Sequence, residues 1–192
     1  MISSSTYCVL SKFPSSFPLK DNHRGTCGMY SLKAVIEWYN GSQINNWKHY
    51  ASNWISKKTG FMFPRSLMKV LRQNGLNARR IHCRWMNDER KIDYLKRQLK
   101  SGPVILLIAH AYNSTREFSF RRAFMLQHYI TLRWYDDEKK IFFVYDSNTK
   151  REHHKSGLPV WNIILSYDRL LMYWTLGWWS FYRNFWIAVQ YN

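Results

Sequence analysis

The chain has 192 residues and a mass of 23.3 kDa, which suits a single domain over residues 1–192. Its content of 46% hydrophobic and 18% aromatic residues excludes a disordered or linker-like protein, because such chains lack the apolar side chains for a core. The 29 Lys and Arg exceed the 12 Asp and Glu by 17, which favours an acidic partner or an anionic membrane surface ahead of nucleic acid.

The first half of the chain has the pattern of three helices after an irregular segment over residues 1–19. Apolar residues recur at helical spacing, Asn-Gly or Gly follows two of the runs, and Pro64 is a favourable first-turn residue. The predicted helices cover residues 27–40, 44–58 and 64–75.

The second half has mainly the pattern of strands. A polar, basic stretch over 113–124 is typical of a surface insertion, and residues 150–192 form an aromatic-rich C-terminal elaboration. Helices first and mostly antiparallel strands afterwards predict an α+β fold. The predicted elements are a strand over 78–85, a helix over 88–100, a buried central strand over 103–112, a hairpin of 128–134 with 141–147, and a last strand over 185–191.

The cysteine content and the N-terminus point to an intracellular chain. Cys8, Cys27 and Cys83 have spacings that suggest neither a disulfide framework nor a zinc site. The N-terminus lacks the basic start and apolar core of a secretory signal. We therefore expect a cytoplasmic protein that binds no metal and no cofactor; its oligomeric state is left open.

Cys27 is the first candidate for chemistry, because it stands where the irregular segment becomes a helix. The unpaired N–H groups and the positive dipole end at a helix N-terminus stabilise a thiolate. A cysteine on an apolar helix face can equally be structural. Position alone therefore makes Cys27 a candidate nucleophile and no more.

His128 and Asp146 are the second candidate pair, because they begin and end the predicted hairpin. Both lie nine residues from position 137, so a turn centred there would place them opposite each other across the ladder. An Asp carboxylate can accept from a His ring and fix its tautomer, which leaves the other nitrogen as a base or acid. A slip by one residue would send one side chain to the wrong face. His110, at the end of the central strand, is an alternative base with no carboxylate placed for it.

These motifs together resemble a known family. The string HRGTCGMYSLKAVIEWY is similar to the nucleophile helix of the papain-like cysteine peptidase superfamily, and QHYITLRWYDDEKKIFFVYDS resembles its His and Asp strands. The likeness is closest to the bacteriocin-processing peptidases that cut after double-glycine leaders. The resemblance implies a papain-like fold, a peptide or protein substrate, and a site with Cys27 as nucleophile, His128 as general acid and base, and Asp146 as the orienting acid.

The resemblance departs from its pattern at the oxyanion hole. That family has a Gln six residues before the Cys, whereas this chain has Asp21 there and its nearest amide is Asn22. Loss of one oxyanion donor costs about 10²–10³-fold in rate, so either Asn22 shifts by one residue into the role or the site is weakened. The alternatives are therefore a weakened or inactive binding module for an acidic partner, or a transglutaminase-like acyl transferase.

Overall fold

The computed structural model describes residues 6–7, 26–40, 46–109, 127–147, 163–176 and 185–190. Within these ranges the chain is α+β, as its sequence predicts. The helices are α1 (Cys27–Asn40), a 3-10 helix (Trp47–Tyr50), α2 (Trp54–Thr59), α3 (Pro64–Gln73), α4 (Asp88–Leu99) and α5 (Tyr167–Thr175). The strands are β1 (Thr6–Tyr7), β2 (Asn77–His82), β3 (Val104–Ala109), β4 (Gln127–Asp136), β5 (Ile141–Tyr145), β6 (Ile163–Ser166) and β7 (Phe185–Gln190).

The strands form one sheet with helices on both faces. Its order is β2-β7-β3-β4-β5-β6, β1 pairs with β4, and the described ladders are antiparallel. Every residue of β3 is buried, because successive side chains point to opposite faces and both faces are covered. Even-numbered β3 residues pack in a core with α4 and α5, whereas Ile105 and Leu107 pack with α1 and α3.

The helix predicted over 44–58 is wrong as a single element. The structure has the 3-10 helix, a break, and then α2. Asn53 causes the second start, because its side chain accepts from the Ser56 amide at 2.8 Å while the Ser56 hydroxyl accepts from the Asn53 amide at 3.1 Å. This reciprocal capping box satisfies the first amides of α2 and ends the preceding helix pattern.

Several predicted elements agree with the structure. The helices near 27–40, 64–75 and 88–100, the central strand and the last strand are all present within three residues of their predicted bounds. The surface insertion over 113–124 and most of the C-terminal elaboration lie outside the described residues. In the part of the chain that the structure describes, no helix has the length and hydropathy needed to cross a membrane.

Candidate active site

Cys27 is the first residue of α1, as predicted. Thr26 precedes it, and the Thr26 carbonyl accepts the first helical bond from the Tyr30 amide at 3.1 Å. The first turn of α1 carries no acidic residue, so no carboxylate within that turn offsets the positive end of the helix dipole. Cys27 is half-buried. Its thiol is therefore partly shielded from water and still accessible to a reagent.

His128 joins Cys27 to Asp146. The His128 Nε2 lies 2.5 Å from the Asp146 Oδ1, and a hydrogen bond with the Cys27 side chain is among the causes that raise the pKa of the imidazole. A carboxylate only accepts, so Nε2 carries the proton of that bond. Nδ1 is then the nitrogen that remains for the sulfur.

The hairpin does not have the predicted register. Near the turn Asp136 pairs with Ile141 and Trp134 with Phe143, but beyond a β-bulge at Arg133 the partners become Leu132 and Val144. One residue further than Thr131–Tyr145, Asp146 falls beside Ile130 rather than beside His128. The two functional side chains are therefore diagonal neighbours two positions apart, and the direct cross-strand pairing predicted for them is wrong.

The bulge is what allows this diagonal contact. Without it, the register near the turn would continue and place Asp146 beside Thr131, three positions from His128. Side chains alternate between faces, so an odd offset would put His128 and Asp146 on opposite faces. The extra residue of the bulge restores an even offset.

The pKa of His128 reflects burial opposed by two acidic partners. Removal of the ring from water lowers the pKa, but the Asp146 carboxylate and then the Cys27 side chain raise it by more, to about 10. His128 is thus held as an imidazolium over the neutral range. An imidazolium between a thiolate and a carboxylate can stabilise the nucleophile and later donate a proton.

Two glycines set how closely neighbouring elements approach the thiol. A Cβ on Gly28 would lie 3.2 Å from the Tyr129 ring. Gly28 follows Cys27 and Tyr129 follows His128, so α1 and β4 approach each other closely beside both residues. Gly60, which ends α2 at φ +78°, would place a Cβ 2.5 Å from the Thr26 side chain. Both a left-handed conformation and this contact require glycine at position 60.

A buried cluster of charged and polar side chains lies further along α1 from Cys27. Lys33 and Glu37, the two charged residues of α1, are buried and form an ion pair. The Tyr50 hydroxyl donates to Glu37 Oε1 at 3.1 Å. Burial and then Asp146 raise the pKa of Tyr145, so its hydroxyl is neutral beside the Asp146 carboxylate. We did not predict these residues; the signal was a single Lys and Glu four apart in an otherwise uncharged helix.

Cys83, a further cysteine within the described residues, does not join this group. Cys83 is buried in the opposite core, and burial raises the pKa of its thiol to about 11 despite the opposing Lys91. Asp21, Asn22 and His110 lie outside the described residues. Among the residues that are described, no group of three or more His, Cys, Asp or Glu side chains could hold a metal ion.

The chain is similar to known proteins in its sequence family and in its fold. Residues 13–170 match the family described as Peptidase_C39 like family. No curated protein sequence matches the chain.

Two solved structures share the fold. One is the peptidase domain of Streptococcus ComA, a bifunctional ABC transporter involved in a quorum sensing pathway, with a TM-score of 0.54, 16% identity, and coverage of 91% of this chain and 97% of that one. Another is a double glycine motif protease from an AMS/PCAT transporter in complex with the leader peptide, with a TM-score of 0.50, 14% identity, and coverage of 95% and 97%.

Proposed function

The chain belongs to the Peptidase_C39 like family, and from that membership we propose a cysteine peptidase that acts through Cys27, His128 and Asp146. In this proposal Cys27 is the nucleophile, His128 is the general acid and base, and Asp146 orients the imidazole. The family supports a peptidase of the cysteine class. The assignment of roles to these three side chains is our own.

One observation carries the proposal: a single buried imidazole contacts both the thiol and a carboxylate. The carboxylate bond, at 2.5 Å, is short for a nitrogen donor and is charge-assisted. A base that is itself oriented by a third group is the arrangement that activates a nucleophile. The helix start at Cys27 supplies the further stabilisation of a thiolate.

The proposed reaction begins with acylation. The Cys27 sulfur attacks the carbonyl carbon of a peptide bond, and the C–S bond forms as the carbonyl electrons move onto oxygen. When the carbonyl re-forms, the C–N bond breaks and His128 gives its proton to the leaving amine. The product is an acyl-enzyme with a neutral imidazole still bonded to Asp146.

Deacylation reverses these roles. Neutral His128 takes a proton from water while the water oxygen attacks the thioester carbon. The C–S bond breaks, the carboxylic acid leaves, and the thiolate–imidazolium pair is restored. The peptide substrate proposed here has a parallel in the AMS/PCAT protease, whose structure holds its leader peptide.

The first test needs no substrate. Native protein is alkylated with iodoacetamide across a pH series, and each cysteine is followed by mass spectrometry. We expect Cys27 to react at pH 6 about tenfold or more faster than Cys83, because a paired thiolate persists below the ordinary thiol pKa of about 8.5. His128→Ala should remove this advantage, whereas His82→Ala, a change at an exposed histidine, should preserve it.

The second test measures hydrolysis. A mixture of peptides from a digested proteome is incubated with the protein, and new termini are identified by mass spectrometry, with Cys27→Ala as the matched control. Termini that depend on Cys27 support the peptidase. Alkylation of Cys27 no faster than that of Cys83, together with no Cys27-dependent termini, would refute it in favour of a binding module.

A further inference from the structure

Tyr145 ends β5 with its side chain buried between the sheet and α1. It is 3% exposed, and its ladder partner Thr131 is fully buried. Val144, the residue before it, packs in the core with α4 and α5. Since successive side chains of a strand point to opposite faces, the Tyr145 ring faces the side of the sheet where α1 packs.

The bulge turns a charged side chain to the same side. Leu132 packs in the core with α4 and α5, so Arg133 after it faces the α1 side, where it is fully buried. A buried guanidinium is costly unless charged or polar groups compensate it. On this side α1 supplies the buried carboxylate of Glu37, which pairs with Lys33 and accepts from the Tyr50 hydroxyl at 3.1 Å.

These groups act on the Tyr145 phenol. Burial first, and then Asp146 and Tyr30, raise the pKa of Tyr145. Arg133 lowers that pKa and Glu37 raises it. The phenol therefore lies within electrostatic range of a carboxylate of α1 and a guanidinium of β4. A neutral hydroxyl can both donate and accept a hydrogen bond, so it suits a position between an anion and a cation.

The direction of the Asp146 side chain depends on Tyr145, because Asp146 lies beyond the regular ladder. β5 ends at Tyr145, and the Tyr145–Thr131 pair is the last between β4 and β5. A Tyr145 ring fixed towards α1 directs the next side chain, that of Asp146, the other way. His128 points that way too, because Tyr129 after it packs on the α1 side. Anchoring one phenol thus sets the direction of the carboxylate that contacts the imidazole.

We propose that Tyr145 is a positioning residue of the active site, whose buried hydroxyl is held between α1 and the bulge so that Asp146 stays aligned with His128. Its two anchors are Glu37 and Arg133. The inference rests on the proposed function, because the alignment of the carboxylate matters only if the imidazole serves the proposed nucleophile. The protonation of His128 is measurable without catalysis, so the test does not depend on activity.

Tyr145→Phe tests the proposal, because it keeps the ring and removes only the hydroxyl. The full chain carries Cys27→Ala, so that the titration of His128 reports its coupling to Asp146 without the thiol. The histidine rings are labelled, and the midpoint of His128 is followed by NMR. We expect Tyr145→Phe to lower that midpoint by about 0.5 pH unit or more, since a less ordered carboxylate stabilises the imidazolium less.

A double-mutant cycle with Asp146→Asn separates positioning from general destabilisation. If Tyr145 acts through the Asp146 carboxylate, then adding Tyr145→Phe to Asp146→Asn should move the His128 midpoint by less than about 0.2 pH unit. A purely structural hydroxyl would instead lower the melting temperature in both backgrounds and leave the midpoint of His128 unchanged.

Matched variants locate the effect. Tyr173 is as buried as Tyr145, at 3% exposed, but packs in the core with α4 and α5, so Tyr173→Phe should move the His128 midpoint by less than about 0.2 pH unit. Glu37→Gln removes the charge of one anchor and keeps its shape. It should lower the midpoint in the presence of Tyr145 and have a smaller effect once Tyr145→Phe is present.

The outcomes are distinguishable. A His128 midpoint unchanged by Tyr145→Phe would overturn the proposal, and so would an equal shift in the Asp146→Asn background or from Tyr173→Phe. If Cys27 fails the alkylation test while the cycle shows coupling, the peptidase is removed and the coupling of Tyr145 to Asp146 stands. If Cys27 passes and the cycle shows no coupling, the peptidase stands and the positioning role is removed.

Discussion

The Asp146 carboxylate should control the protonation of His128, and Asp146→Asn isolates its charge. The variant keeps an oxygen that can accept from Nε2, so the shape of the contact is preserved. What is lost is the attraction between a carboxylate and an imidazolium across 2.5 Å, in a site where both side chains are largely buried. The pKa of His128 should therefore fall from about 10 towards its ordinary value of 6.5.

The size of the effect follows from the bond that is weakened. A hydrogen bond to a charged group contributes about 1.5–3 kcal/mol, and about 1.36 kcal/mol corresponds to one pH unit in a titration midpoint. Asp146→Asn should therefore lower the midpoint of His128 by about 1–2 pH units. The remaining elevation comes from the Cys27 thiolate, so Cys27→Ala should lower the midpoint further.

The assay is an NMR titration of protein labelled in its histidine rings. His128 is assigned from the signal that is missing in His128→Gln, and His82, whose pKa is lowered by burial and then by Arg80, serves as an internal comparison. Asp137→Asn, a charge change on the same hairpin, is the matched control and should leave His128 unchanged. A wild-type His128 midpoint near 6.5, or one unmoved by Asp146→Asn, would refute the reasoning.

Three further predictions concern α1 and pH. Gly28→Ala should gain about 1 kcal/mol of helix propensity but press on Tyr129, so Cys27 alkylation should slow while the melting temperature changes little; a rate equal to wild type would show that this close approach does not position the pair. Lys33→Met strands the buried Glu37 carboxylate and should cost about 3–5 kcal/mol in urea unfolding; a loss under about 1 kcal/mol would contradict the burial of the pair. The folded pKa of His128 lies above its unfolded value, so its stabilising contribution is complete below pH 6.5 and is lost as pH rises through about 10. The difference in unfolding free energy between wild type and His128→Gln should therefore shrink between these pH values. A difference that grew over that range would contradict the raised pKa.

Local patterns predicted the elements that hold the site. The start of α1 at Cys27 follows from helical spacing, and the burial of β3 follows from a continuous apolar run between helices. These features depend on residues close together in sequence. Tertiary packing favours the same helix and strand that these local patterns favour, so the patterns predict the folded structure correctly.

Other features could not be predicted from the sequence because they depend on contacts between distant residues. A Lys and a Glu on α1 fit an exposed face, yet residues 28–37 are all buried, since the sheet, α3 and the 3-10 helix enclose that helix. The break at Asn53 depends on a side chain competing for backbone amides. Helical periodicity does not include that competition, so it predicts one continuous helix.

The sequence predicts the contact between His128 and Asp146 correctly, although the hairpin register that it predicts is wrong. A turn centred at 137 would have placed His128 opposite Asp146 directly, whereas the observed ladder places Asp146 beside Ile130 and depends on the bulge at Arg133. Nothing in the alternation of apolar residues marks that extra residue. If Arg133 instead paired in register with Val144, the offset would be odd and His128 would turn away from Asp146.

The bulge and Gly28 act on the same pair from two directions. The bulge brings His128 and Asp146 to one face within the hairpin, whereas the Gly28–Tyr129 contact brings α1 close enough for Cys27 to reach the imidazole. The bulge and Gly28 are both needed to bring the Cys27 thiol, the His128 imidazole and the Asp146 carboxylate together. Both interrupt a regular element, by breaking a ladder and by placing glycine in a helix, and both contribute to the arrangement on which the proposed chemistry at Cys27 rests.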